Sequence, residues 1–169
     1  MPSDQQPATA PVPSANVWVD CACGERHWGR YGAAGLLLVY RPPVGEPEVL
    51  LQHRAGWTHH GGTWALPGGA RHHDERPEQA ALREAAEEAG LDAHDVQVGE
   101  VVVVDHGTWS YAYVLAAIAT RPRLVPSDEE TQDLRWVPAG EVAGYPLHPH
   151  FAQAWPPLLE RVLLPVTNS

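Results

Sequence analysis

Residues 77–90, PEQAALREAAEEAG, constrain the chain more than any other stretch. Proline suits the first turn of a helix, where its missing N–H costs no bond, and glycine suits the left-handed stop after the last turn. The segment therefore reads as a helix from Pro77 to Ala89, closed by Gly90. At about 100° per residue, Leu82, Ala85, Ala86 and Ala89 fall on one face, small enough to sit close against a sheet. Glu84, Glu87 and Glu88 fill an arc of roughly 100° on the opposite side. Like charges at i, i+3 and i+4 weaken an isolated helix, so the cluster needs open solvent or a cation. Spacing alone does not decide between them. Magnesium, which takes hard oxygen ligands from a few carboxylates and substrate phosphates, is the cation the pattern suits.

The flanking sequence supplies strands. AAGLLLVYR (33–41) and VLLQHR (49–54), joined by the turn-rich PPVGEPE, read as a hairpin. Residues 55–75 are loop-like, with a short strand at 64–66. VQVGEVVVVDHG (96–107) and SYAYVLAAIAT (110–120) read as an antiparallel pair. LRWVPAGEV (134–142) gives a strand and the opening of a helix. FAQAWPPLLERVLL (151–164) reads as a C-terminal helix, with Pro156 and Pro157 near its start or at a break. Strands mixed with two or more helices give an α/β or α+β sandwich.

A chain of 169 residues with 44% hydrophobic content fits one domain with a sizeable core. No apolar run approaches the roughly 20 residues of a membrane helix. The start, MPSDQQPATAPVPSA, lacks the basic and apolar regions of a secretory signal and reads as a disordered leader, residues 1–16. Cys21 and Cys23 cannot staple a domain of this size, and a cytoplasmic location is expected. A net charge of −10 argues against a nucleic-acid polymer as partner. The eleven cationic side chains are all arginine, so an anionic ligand must be held by arginine forks or by metal.

From Gly69 the chain reads GARHHDERPEQAALREAAEEAGL, which resembles the Nudix hydrolase signature Gx5Ex7REUxEExGU, U being a bulky aliphatic residue. Gly69, Glu75, Arg83, Glu84, Glu87, Glu88, Gly90 and Leu91 fall in register over residues 69–91. Ala85 fills the first U position with a smaller side chain, and the preceding WALPGG resembles the family's lead-in. The resemblance implies a single α/β/α sandwich with a mixed sheet; the strand order is compatible with that fold over about residues 31–145, and one domain is expected over residues 17–169. It also implies hydrolysis of a nucleoside diphosphate-linked small molecule with Mg2+ or Mn2+. Glu84, Glu87 and Glu88 resemble the catalytic, metal-binding glutamates, joined by the Gly68 carbonyl. Glu84 is the candidate for orienting or deprotonating water. A late acidic loop, PSDEETQDLRWV (126–137), offers Glu130 as a further ligand, with Glu129 and Asp128 close behind. Glu75 and Arg83 resemble the pair tying loop to helix, Gly69 allows the loop's tight path, and Gly90 caps the helix.

Substrate contacts are expected from Arg54, Trp57 and Trp64, with Trp109, Tyr111 and Tyr113 as further aromatic platforms. The only asparagines, Asn16 and Asn168, lie near the ends. The marks of NADH, ADP-ribose and diadenosine-polyphosphate subfamilies are absent, and LLQHRAGWTHHGG only partly matches the coenzyme A group. A nucleoside triphosphate, oxidised or not, therefore leads, cleaved to monophosphate and pyrophosphate. ADP-ribose, coenzyme A or a dinucleotide remain alternatives, as do a non-catalytic nucleotide sensor and an isomerase on the same fold. A homodimer is left open. His59, His60, His72 and His73 lack the i, i+4 spacing of helical zinc ligands, and CACGERH (21–27) lacks the second half of a zinc ribbon.

Overall fold

The computed structural model describes residues 10–164, so residues 1–9 of the expected leader lie outside it. Residues 10–16 form no regular element but are tied down. The Tyr31 hydroxyl donates to the Pro13 carbonyl at 2.9 Å, and Arg30 Nε donates to the Ser14 carbonyl at 3.1 Å.

Two short strands, β1 (Trp18–Asp20) and β2 (Arg26–Trp28), form an antiparallel ribbon with Val19 opposite His27. The main sheet is built from β3 (Ala33–Tyr40), β4 (Glu48–Arg54), β5 (Trp64–Ala65), β6 (Gly68–Ala70), β7 (Val96–Asp105), β8 (Ser110–Ile118) and β9 (Thr131–Pro138). Two helices, α1 (Pro77–Ala89) and α2 (Pro149–Leu163), cover its faces. The sheet is mixed: β3 runs parallel to β8 from Ala33 opposite Tyr111 to Tyr40 opposite Ile118, and β7 is antiparallel to β8.

The expected hairpin of β3 and β4 exists, but the strands pair only at Val39–Val49 and Tyr40–Glu48 before diverging. Into the gap goes a wedge of chain. Its first strand, β5, pairs with β4; its second, β6, pairs with β3, with Gly35 opposite Gly68. Between them, the Pro67 carbonyl accepts a bond from Leu36 N–H at 2.8 Å. The far edge of β4 is closed by β9.

Alternation along the strands sends consecutive side chains to opposite layers. Leu36, Leu38, Leu50 and Val114 pack with Ala80, Ala81 and Ala85 of α1. Leu37, Val39, Leu51 and Val137 pack with Phe151, Trp155, Leu158 and Val162 of α2. The result is an α/β/α sandwich. Each fully buried leucine contributes about 1.5–3 kcal/mol. Ala85 is fully buried, so a small residue at this signature position lets α1 lie close to the sheet.

Three local expectations are corrected. Ala86 is exposed and Leu82 only half-buried, whereas Glu88 is 2% exposed. The buried stripe follows 81, 85, 88, 89, the i, i+4, i+7, i+8 pattern, so Glu88 lies on the sheet side and not opposite it. Helix α2 starts at Pro149, which places Pro156 and Pro157 in its interior. The carbonyls that lose partners there belong to Ala152 and Gln153, both exposed, so the loss falls on the solvent side of the helix. After β9 the chain forms a 3-10 turn, Ala139–Gly144, where a helix was expected to open.

Candidate active site

The wedge brings β6 across the C-terminal half of α1. The Gly68 N–H donates to Glu88 Oε2 at 3.0 Å. A Cβ on Gly68 would lie 2.5 Å from the Ala34 carbonyl oxygen, and one on Gly69 would lie 2.6 Å from Glu84 Oε1. Glycine at both positions is what lets backbone and carboxylates meet. Helix α1 ends as its sequence predicts. Gly90 adopts φ +67, and its N–H donates to the Ala86 carbonyl at 3.0 Å.

Arg83 organises the outer side of the site. Its Nε and one terminal nitrogen grip both Glu75 oxygens at 2.9 Å, and that nitrogen also reaches the Ala70 carbonyl at 3.0 Å. Its other terminal nitrogen donates to Glu84 Oε1 at 2.9 Å and to Glu87 Oε1 at 3.5 Å. The bidentate bond from Arg83, helped by the His72 N–H, holds the Glu75 carboxyl down at about 2 despite burial. Glu84 is pushed up by burial, an effect Arg83 partly offsets. Glu88 is pushed well above the ordinary range by burial first, then by the charges of Glu84, Asp128 and Glu130, with only the Gly68 N–H opposing.

The late loop completes the cluster. Ser127 N–H donates to the Glu88 carbonyl at 2.9 Å, Asp128 Oδ1 accepts from Thr131 N–H at 3.1 Å, and the Glu130 carbonyl accepts from Ala55 N–H at 2.9 Å. The buried Gln52 side chain anchors Thr131 at 2.8 Å. Oxygens of Glu88, Asp128 and Glu130 consequently lie within 4.8 Å of one another. A divalent cation fits this set. Its donors are hard oxygens, and a bound charge would relieve the burial and repulsion that now disfavour ionised Glu88. Glu84 sits beside the cluster in the grip of Arg83, and Glu87 is mostly exposed.

From this end a cavity of about 590 Å³ opens, with Gly68, Gly69 and Glu130 in its lining. Arg54, Trp57 and His59 form one wall; His106 and Trp109, from the β7–β8 connection, and Tyr111 of β8 form another. The start of α2 contributes His148, His150 and Phe151, and the ribbon contributes Trp18, His27 and Trp28. Burial, followed by the charges of His60 and Arg54, lowers His148 to about 3 and keeps it neutral at ordinary pH. Arg54 lines the cavity while its guanidinium donates to the His59 carbonyl at 3.0 and 3.2 Å, so it also shapes the loop.

Trp64 lies elsewhere. It is 6% exposed, stacked on His53 at 4.5 Å, and part of the core beneath α2, outside the cavity lining. As a core residue it braces β5, which is a different place from that expected of a substrate platform. Neither His59–His60 nor His72–His73 belongs to any metal-competent group among the described residues. The ribbon tryptophans and the α2 histidines are the site residues that motif reading missed. Trp18 and Trp28 are cross-strand partners whose rings meet at 5.3 Å. The two tryptophans flanking CACGERH, three residues before it and directly after it, were the available signal.

A loop-to-helix arginine clamp, a glycine wedge and helix carboxylates facing a late acidic loop together define a hydrolase-type site. The NUDIX domain description matches residues 30–159, and the chain belongs to the Nudix hydrolase family. Over 144 residues it is 52% identical to "Putative 8-oxo-dGTP diphosphatase 3" of Mycobacterium tuberculosis (strain CDC 1551 / Oshkosh), covering 82% of this chain and 66% of that protein. It is 41% identical over 149 residues to a "Nucleoside triphosphate pyrophosphatase/Nudix hydrolase fusion protein" of Bifidobacterium longum (strain NCC 2705), covering 86% of this chain and 31% of that one. The chain thus spans less than two thirds of the length of these curated relatives. The crystal structure of a Nudix hydrolase from M. smegmatis, RenU, superposes with a TM-score of 0.82 at 48% identity, covering 90% of this chain and 99% of that chain.

Proposed function

We propose that this chain hydrolyses a purine nucleoside triphosphate, 8-oxo-dGTP being the first candidate, to the monophosphate and pyrophosphate. The observation that carries the reading is the convergence of Glu88, Asp128 and Glu130 at the end of an aromatic cavity. Glu84, Glu87, Glu88, the Gly68 carbonyl and Glu130 are the proposed holders of Mg2+ or Mn2+, with Asp128 added by the geometry. When bound, the metal offsets phosphate charge and makes a water more acidic.

The chain's own groups do the rest. Arg83 and Glu75 fix α1 against the wedge, so the carboxylates need no reorganisation during reaction. Of the two carboxylates suited to take a water proton, Glu130 is the better placed, because it faces the cavity while Glu84 Oε1 is occupied by Arg83. Arg54 can meet a phosphate oxygen, and Trp57 offers a face for the base. The names of the relatives support a triphosphate over the dinucleotide alternatives.

The test is product analysis with Mg2+ across dGTP, 8-oxo-dGTP, ADP-ribose, NADH, coenzyme A and diadenosine tetraphosphate. Monophosphate and pyrophosphate from 8-oxo-dGTP, at a kcat/KM well above the rest, is the expected result. Preference for ADP-ribose, coenzyme A or the dinucleotide would move the substrate assignment and leave the metal site standing. Metal-dependent binding without turnover of any of them would make the chain a sensor.

A further inference from the structure

We propose that Cys21, Cys23 and His27, at the tip of the β1–β2 ribbon, form a zinc site distinct from the carboxylate site. Their three ligand atoms lie within 4.8 Å of one another. The convergence follows from the hairpin. Val19 stands opposite His27, and side chains two apart share one face of a strand, so Cys21 projects on the His27 side, one step nearer the turn. The turn is tight: the Cys21 carbonyl accepts from Gly24 N–H at 3.0 Å, and Cys21 N–H donates to the Glu25 carbonyl at 3.0 Å. Gly24, at φ +91, permits that path, and Cys23 is carried back over the ribbon.

There the Cys23 sulfur lies 3.2 Å from His27 Nε2. A tetrahedral zinc bonded to sulfur at about 2.3 Å and nitrogen at about 2.0 Å sets those donors roughly 3.5 Å apart. The pair therefore needs to open by only a few tenths of an ångström. The imidazole is already fixed in place, 4% exposed and stacked on Trp109 at 4.2 Å with 7° between the rings. Glu25 and His150, 3.2 Å apart, form a separate metal-competent group with His27, so the fourth position at the two sulfurs is left to water.

Ligand softness separates the two sites. Two thiolates and an imidazole select zinc, whereas the all-oxygen cluster at Glu88 selects magnesium or manganese. Zinc here would pin the ribbon tip, which already bonds to the β7–β8 turn through Ala22 N–H and Thr108 Oγ1 at 3.0 Å. It would thereby hold Trp18 and Trp28 in the cavity wall.

The full chain, purified under reducing conditions, is loaded with zinc, dialysed against excess magnesium and assayed by mass spectrometry of the metal. A parallel sample is loaded with cobalt(II) and its spectrum recorded. One retained zinc per chain is expected, with a near-ultraviolet thiolate-to-cobalt charge-transfer band. The band should disappear in Cys23→Ser, whose exposed side chain can change without disturbing the core, and in Cys21→Ser, and persist in Glu88→Gln. Zinc retained by both serine variants but lost in Glu88→Gln would overturn the proposal. So would a fully reduced protein that shows no charge-transfer band.

Discussion

At 2% exposure and close to Glu84, Asp128 and Glu130, the Glu88 carboxylate meets burial and like charge together. A carboxyl whose pKa is raised by folding binds more protons in the native state than in the unfolded one. Stability therefore falls as pH rises above the ordinary value near 4.5. Without divalent metal, Glu88→Gln should raise the melting temperature at neutral pH, while cutting metal-dependent turnover by at least about 100-fold. Thermal melts and initial rates on one preparation check both. A variant that loses stability and keeps its rate would remove Glu88 from the site. Glu75 has the opposite sign. Its pKa is depressed to about 2 by Arg83, so its stabilisation is complete above about 4.5 and is lost as pH falls through about 2. Glu75→Gln should cost on the order of 2–3 kcal/mol near neutral pH, the difference from the native chain shrinking as acid is added. Denaturant midpoints measured across that window test it. The Arg83–Glu75 and Gly90 roles were legible because fixed spacing defines them, but the burial of Glu88 was not. A helical wheel shows which residues share a face and leaves open whether a carboxylate on that face has a sheet edge above it.

Among the elements, the three-residue strand β6 decides most about the site and announces itself least. It has no periodicity, and its register depends on β3, more than thirty residues earlier in the chain. Its two glycines face different neighbours, which makes their substitutions separable. Gly68→Ala sets a methyl against the Ala34 carbonyl and Gly35 Cα, both backbone, and should destabilise the fold by about 1–3 kcal/mol, read as a lowered unfolding midpoint. Gly69→Ala meets the Glu84 carboxylate, a side chain that can swing away. Its cost should appear in kcat more than in stability. Equal losses of midpoint in the two variants, with kcat intact in Gly69→Ala, would contradict this division. Long periodic segments such as β3, β8 and α1 were read nearly to the residue. Of the wedge only β5 was read; β6, the interior prolines of α2 and the 3-10 turn after β9 were not, because tertiary neighbours set them.

For the whole molecule the cavity is the unit that matters, and its walls come from distant parts of the chain. Trp57 was legible as an aromatic in a glycine-rich loop, and Glu130 as an acid in a late loop. Trp18, Trp28, His148 and His150 became site residues only once the ribbon and α2 met around Trp109. Replacing Trp57 or Trp18 by alanine should raise KM with little change in kcat, by roughly 5- to 100-fold if each ring stacks on a base at about 1–3 kcal/mol. An unchanged KM in both would mean the base sits elsewhere. The ribbon, residues 18–28, precedes the span 30–159 matched by the family description, yet it lines the same cavity as Glu130. During synthesis the ribbon therefore leaves the ribosome well before α2 and waits for it before its tryptophans have a wall to join. The carboxylate helix can be packed by then, while the pocket that would choose its substrate is still unmade. A chain interrupted before α2 would hold its charges in place with one wall of its cavity missing.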